Sequence, residues 1–262
     1  MIKIRNPSVA GLFYPSDPRA LREEVRGFLA DARGVASAPP KALVAPHAGY
    51  VYSGPVAGSA YAQLEPIRDR IERVVMAGPS HRVPFRGIAY SSAERFRTPL
   101  GEVEADLAAY PAIADLPQVR HFEAPFEGEH CLEVQLPFLQ VLLPQFRVVP
   151  LLVGDAETEE VAAVLDRLWG GDETLIVISS DLSHYFDYPT ARRLDSDTSR
   201  AIERLAPEEI GDDQACGRIP LKGLLAAAKR RGLKALTLDL RNSGDTAGPR
   251  HQVVGYGAYA LV

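Results

Sequence analysis

Short, almost wholly apolar runs recur along this chain: "ALVAP" (42–46), "RVVMAGPSH" (73–81), "FRVVPLLVG" (146–154) and "ETLIVISS" (173–180). Runs this short, rich in Val, Ile and Leu and bounded by Gly, Pro or polar turns, predict strands covered on both faces. "GIAYSS" (87–92), "KALTLDLRNSGD" (234–245) and "QVVGYGAYALV" (252–262) predict further strands. Between them the apolar residues fall at helical spacing. "DPRALREEVRGFLADA" (17–32) has Asp17 or Ser16 as a cap and Pro18 in the first turn. "DAETEEVAAVLDRLWG" (155–170) and "YPTARRLDSDTSRAIERL" (188–205) are amphipathic, the first with acids that suit the positive end of a helix, and "IPLKGLLAAAKRRG" (219–232) ends basic, with a glycine stop. "GPVAGSAYAQL" (54–64) predicts a small-residue helix able to pack closely on a sheet. In "CLEVQLPFLQVLL" (131–143) Pro137 kinks a helix or marks its first turn. "RFRTPLGEVEADLAAYPAI" (95–113) predicts a Pro-Leu-Gly turn running into an acidic, alanine-rich helix. With no repeat or dividing linker, the pattern predicts one α/β domain over residues 1–262. Its central sheet is mainly parallel or mixed, with helices on both faces.

Composition narrows the function. At 262 residues and a formal net charge of −5, the chain lacks the Lys/Arg excess needed to grip phosphate backbones, so nucleic acid is not an expected partner. Two cysteines form no disulfide framework or CxxC zinc signature, which suits a reducing cytoplasm. No apolar stretch reaches the roughly 20 residues that span a bilayer, and no signal-peptide core precedes the first strand, so neither membrane nor export is expected. Nucleotide cradles (GxGxxG, GxxxxGK[ST]) and the GxSxG elbow are absent from the sequence.

The polar residues are placed more tellingly. His47 follows the 42–46 run, His81 ends the 73–81 run, Asp181 and His184 follow the 173–180 run, and Asp245 ends the 234–245 run. Side chains just past the carboxyl ends of strands in an open α/β sheet face one crevice. Each has a structural reading too: Asp181 as a helix cap, Asp245 as a turn residue, Asp155 as the cap of the acidic helix that follows it. Two imidazoles and a carboxylate on one face of a metal form the facial triad of non-haem Fe(II) oxygenases, while the same donors with zinc activate water. A third, unliganded histidine would serve as general acid or base. Glu129 and His130 precede the 131–143 helix, and His130 divides between pocket lining and structural hydrogen bonding. His121 and His251 read as surface residues and Cys131 as a small buried hydrophobe.

"NPSVAGLFYPSDP", "APHAGYVYSGPVAGSAY", "GPSHRVPFRGIAYS", "TPLGEVEAD", "EHCLEVQLPFLQ", "SSDLSHY" and "SGD" with "VVGYGAYA" occur in this order over nearly the whole chain. Together they resemble the Memo family, also called AmmeMemoRadiSam system protein B. The resemblance implies a fold similar to class III extradiol ring-cleavage dioxygenases. It implies His47 and His81 as metal ligands and His184, with Asp181 close by, as the acid–base pair. Animal members carry a cysteine in the segment corresponding to "RNSGDTAGP", where this chain has none; Asp245, or the Thr246 position beside it, would complete the set. Tyr50, Tyr52 and His130 are expected to contact substrate. The implied cofactor is a divalent metal, Fe(II) first, with Cu or Zn as alternatives. Implied partners are a small-molecule or peptide ligand, an AMMECR-type protein and a radical-SAM protein. Two other readings stay open: a non-catalytic metal- or peptide-binding signalling module, and a zinc-dependent hydrolase.

Overall fold

The computed structural model describes residues 2–262. The chain runs β1 (Ile4–Arg5), α1 (Pro18–Ala30), β2 (Ala42–Ala45), α2 (Tyr50–Tyr61), β3 (Arg73–Pro79) and β4 (Ile88–Tyr90). It continues through β5 (Arg95–Thr98), β6 (Gly101–Ala105), β7 (Val119–His121), α3 (Leu136–Leu142), β8 (Arg147–Val153) and α4 (Thr158–Leu168). Then come β9 (Thr174–Ser179), β10 (His184–Phe186), α5 (Tyr188–Glu203), α6 (Arg218–Arg230), β11 (Ala235–Asn242), α7 (Ser243–Thr246) and β12 (Val253–Leu261). These make a mixed α/β fold around a 12-stranded sheet with the principal order β1-β5-β6-β8-β3-β9-β2-β12-β10.

Four strands at its centre, β8, β3, β9 and β2, are mutually parallel. Their side chains alternate between two cores. Leu43, Val74, Met76, Leu175 and Val177 face one cluster with Leu21 and Val25 of α1, Val56 of α2 and Phe138 of α3. Val44, Val75, Ala77, Ile176 and Ile178 face the other, with Val161 of α4, Ile202 of α5 and Leu224 of α6. This is why the runs carry no polar period: both faces are dry. Among the described residues, no helix is long and apolar enough to cross a membrane.

Several local expectations are corrected. α2 begins at Tyr50 rather than at 54, and its small residues pack against a helix as well as the sheet: a Cβ on Gly58 would come 2.4 Å from the Phe28 carbonyl oxygen of α1. The 95–113 stretch is not a turn into a long helix but a hairpin, β5 with β6, followed by a 3-10 turn at Leu107–Ala112. "GEVEA" alternates with period two, burying Val103 between the outward Glu102 and Glu104, and Gly101 takes the φ of 126° that the turn requires. Asp155 does not cap α4. Glu157 does, in a capping box with Glu160, while the Asp155 backbone bonds Phe85 and Gly87. Pro137 stands in the first turn of α3.

One buried acid gives the fold a pH dependence. Asp195 on α5 packs against Gly255 of β12, where a Cβ would come 2.1 Å from the carboxylate. Burial holds its carboxyl up at about 6, opposed by the Ser183 N–H donated to Oδ1 at 3.0 Å. Between about pH 4 and 6 the native state therefore keeps a proton that the unfolded chain releases, so stability falls as pH rises through that window. Asp195→Asn is expected to remove this slope. In urea denaturation its stability relative to the wild type should be higher at pH 7.5 than at pH 4 by about 2–3 kcal/mol. An unchanged difference between the two pH values would contradict the assignment.

Candidate metal centre

Although β2 and β3 follow one another in sequence, β9 lies between them in the sheet. The loops leaving β2 and β3 therefore flank the end of β9, and the crevice expected at such a reversal opens at the carboxyl rim. His47 descends from one side and His81 from the other, their ring centroids 5.1 Å apart.

Hydrogen bonds fix what each ring presents. The single proton of the Ser179 hydroxyl goes to the Cys131 carbonyl at 2.6 Å. Ser179 Oγ must then accept from His47 Nδ1 at 2.9 Å, as it accepts from Gln135 Nε2 at 2.8 Å. The neutral His47 thus carries its proton on Nδ1 and bares the Nε2 lone pair. Burial, reinforced by the neighbouring His81 and His130, holds His47 well below the ordinary imidazole range. His81 is oriented in parallel fashion: its Nδ1–H donates to Glu129 Oε1 at 2.9 Å and its backbone N–H to Oε2 at 2.8 Å, which leaves Nε2 free.

Glu129 is the anchor of this arrangement. It is buried, which by itself would raise its pKa. The His81 ring and the backbone N–H groups of His81 and Cys131 nonetheless hold it well below the usual carboxylate range, and the His130 N–H also donates to it.

The third side chain that could serve as a donor is Cys216. Its Sγ lies 3.3 Å from His47 Nε2, and the donor atoms of His47, His81 and Cys216 all lie within 4.8 Å of one another. A tetrahedral ion with metal–nitrogen and metal–sulfur bonds of about 2.0 and 2.3 Å separates such donors by about 3.5 Å, so the set fits a metal. Glycine explains how the cysteine arrives. A Cβ on Gly217 would come 2.7 Å from the Ser179 carbonyl, and the Gly217 N–H donates to Ser180 Oγ at 2.9 Å, clamping the loop before α6 to the end of β9. Burial, then the negative Asp181, pushes the thiol up to about 12, so a metal must displace its proton. A second donor group, His81 with Glu129 and His130, shares one histidine with the first. Glu129 Oε1 already accepts three N–H groups, which makes it the orienting partner of His81 rather than a ligand.

The remaining expected site residues divide. Asp245 belongs to neither donor group among the described residues. It closes the capping box of α7, accepting from the Asn242 N–H at 3.1 Å and from the Tyr188 hydroxyl at 2.6 Å, and Thr246 Oγ1 donates to the Ser243 carbonyl. The side chain that stands beside His47 and His81 is instead Cys216, from a segment 29 residues earlier than Asp245 (245 − 216). Tyr50 lies in the core. It is 2 % exposed, packs with Tyr14 and Phe138, and donates to the Val134 carbonyl. Tyr52 is exposed.

Asp181 is buried and accepts the His47 backbone N–H at 2.7 Å. Burial raises its pKa against the pull of that bond and of the nearby histidines. The His184 Nδ1–H donates to the Leu182 carbonyl at 2.7 Å, and among the described residues Nε2 has no hydrogen-bond partner. His130 stacks on His81 with centroids 5.1 Å apart and meets Phe13 edge-on. The sequence reading missed Cys216 and the orienting role of Glu129. A cysteine in the polar loop "DDQACGR", immediately before a helix, was the available signal.

Comparison with known proteins gives the family. A model of the Memo-like protein family matches residues 5–260. A MEMO1 family protein of Aquifex aeolicus is 37 % identical over 97 % of this chain and 98 % of its own. One from Aeropyrum pernix is 35 % identical over 98 % and 99 %, and one from Methanocaldococcus jannaschii 35 % identical over the full length of both. With the family model matching nearly the whole chain and these relatives 35–37 % identical over almost all of it, the chain belongs to the Memo family.

Proposed function

We propose that this protein is a metal-dependent oxidoreductase of the non-haem iron type, acting on a small substrate in the crevice at the strand ends. The observation that carries this reading is the convergence of two imidazole Nε2 lone pairs and one thiol, each held by its own hydrogen bonds, at one rim of the sheet. Imidazole and thiolate donors suit iron, copper and zinc. Three protein donors leave coordination positions for a ligand. A bound Fe(II) would supply one-electron chemistry with those positions open to substrate and oxidant.

The protein's own contribution is orientation and proton handling. Ser179 and Glu129 fix the two imidazoles, and Asp181 ties the His47 backbone to the end of β9. His184, locked by the Leu182 carbonyl, offers Nε2 as the group that takes or returns a proton at the substrate. The thiol favours a second reading, because a His/His/Cys set is also a catalytic zinc set.

Protein purified anaerobically is expected to carry stoichiometric iron by elemental analysis, and that iron should oxidise on admission of dioxygen. Stoichiometric zinc without dioxygen consumption would replace the redox reading by hydrolysis. Absence of any bound metal, including after reconstitution, would overturn both and leave a binding module.

A further inference from the structure

Tyr185 stands in the left-handed region at φ 63°, where a bulky side chain rarely sits. The ladder explains the angle. His184 pairs with Val254 and Phe186 with Val253, so Tyr185 is the extra residue of a bulge with no partner across the strand. Such positions favour glycine, and bulges beside functional sites re-aim side chains. Here the bulge turns an aromatic ring outward. Tyr185 is 68 % exposed, whereas Tyr14, Tyr61, Tyr110, Tyr256 and Tyr259 are buried. The ring meets His184 edge-on with centroids 5.7 Å apart. Tyr185 belongs to β10, the short strand that follows the Asp181 loop and pairs with β12. A tyrosine serving the core would bury its ring, and one serving only the turn would be better replaced by glycine. Neither account fits an exposed ring on a left-handed backbone beside the unliganded histidine.

We infer that Tyr185 contacts substrate: its ring is a wall of the pocket beside His184, against which a flat, unsaturated ligand of the metal stacks, so that it selects ring-bearing over aliphatic substrates. This rests on the metal-centre reading above. Offset or edge-on contact with one aromatic ring changes affinity by up to about tenfold.

The test uses two chelating probes that differ in the ring, acetohydroxamate and benzohydroxamate, titrated calorimetrically into metal-loaded protein after its metal content has been measured. Wild type and Tyr185→Phe are expected to prefer benzohydroxamate by a similar ratio. Tyr185→Gly and Tyr185→Ala should lose about three- to tenfold of that preference. Acetohydroxamate affinity and metal content should stay unchanged in both. Because Tyr185→Gly also relieves the backbone, it guards against a loss caused by misfolding. A preference unaltered in Tyr185→Gly, with metal bound, overturns this inference alone. Wild-type protein that takes up no metal overturns the metal-centre reading and this inference with it.

Discussion

Cys216→Ala is expected to lower the affinity for Fe(II), or for Co(II) used as a spectroscopic substitute, by more than about 100-fold, while Asp245→Ala leaves it within about twofold. Losing a partner that only orients a ligand already costs 10- to 100-fold, and Cys216 is placed as a ligand itself. Its sulfur stands 3.3 Å from His47 Nε2, whereas both carboxylate oxygens of Asp245 are occupied within and beside α7. Competition against a chelator under anaerobic conditions measures both variants. Cobalt-loaded wild type should also show a thiolate-to-metal absorption that Cys216→Ala lacks. The opposite pattern, with metal kept by Cys216→Ala and lost by Asp245→Ala, would restore the His/His/carboxylate triad and refute the thiol.

Glu129→Gln is expected to weaken metal binding by about 10- to 100-fold without removing any ligand. Three N–H donors converge on Oε1 and a fourth on Oε2. A glutamine offers one acceptor oxygen and one NH2, so at least one buried N–H is left facing another donor, at a cost of about 1–3 kcal/mol in stability. The His81 ring also loses the charge that pins its proton on Nδ1, and its Nε2 is no longer committed as a lone pair. Glu133 provides the control. It too is a buried carboxylate, accepting from the Ser8 and Val9 N–H groups and the Tyr14 hydroxyl, yet it touches neither histidine ring. Glu133→Gln should therefore lower the denaturation midpoint while leaving metal affinity unchanged. Equal losses of metal in the two variants would show that Glu129 acts through stability alone.

The strands, most helices and the cap of α1 were legible because they are local. Apolar runs such as "TLIVIS" (174–179) have no choice but to be covered on both faces, and Asp17 with Pro18 starts α1 wherever that helix packs. The hairpin at 95–105 was legible in principle, since "GEVEA" alternates strictly, but its acids suggested a helix. The histidines were found for a related reason. Placing His47, His81 and His184 just past apolar strands assigns them to one rim as soon as the strands are parallel.

What the amino-acid order by itself determined is the set of elements, the two-faced burial of the central strands and the rim on which the histidines lie, all of which follow from period and adjacency. Tertiary structure alone decided that β9 inserts between β2 and β3, that Gly217 lets the Cys216 loop press on the end of β9, and that Asp245 turns back into its own cap. It also decided that Tyr50 faces the core instead of the pocket. Those outcomes depend on which distant segments meet, and no local pattern encodes a meeting. Separated by 169 positions in the chain, Cys216 and His47 become neighbours only once the whole sheet is assembled.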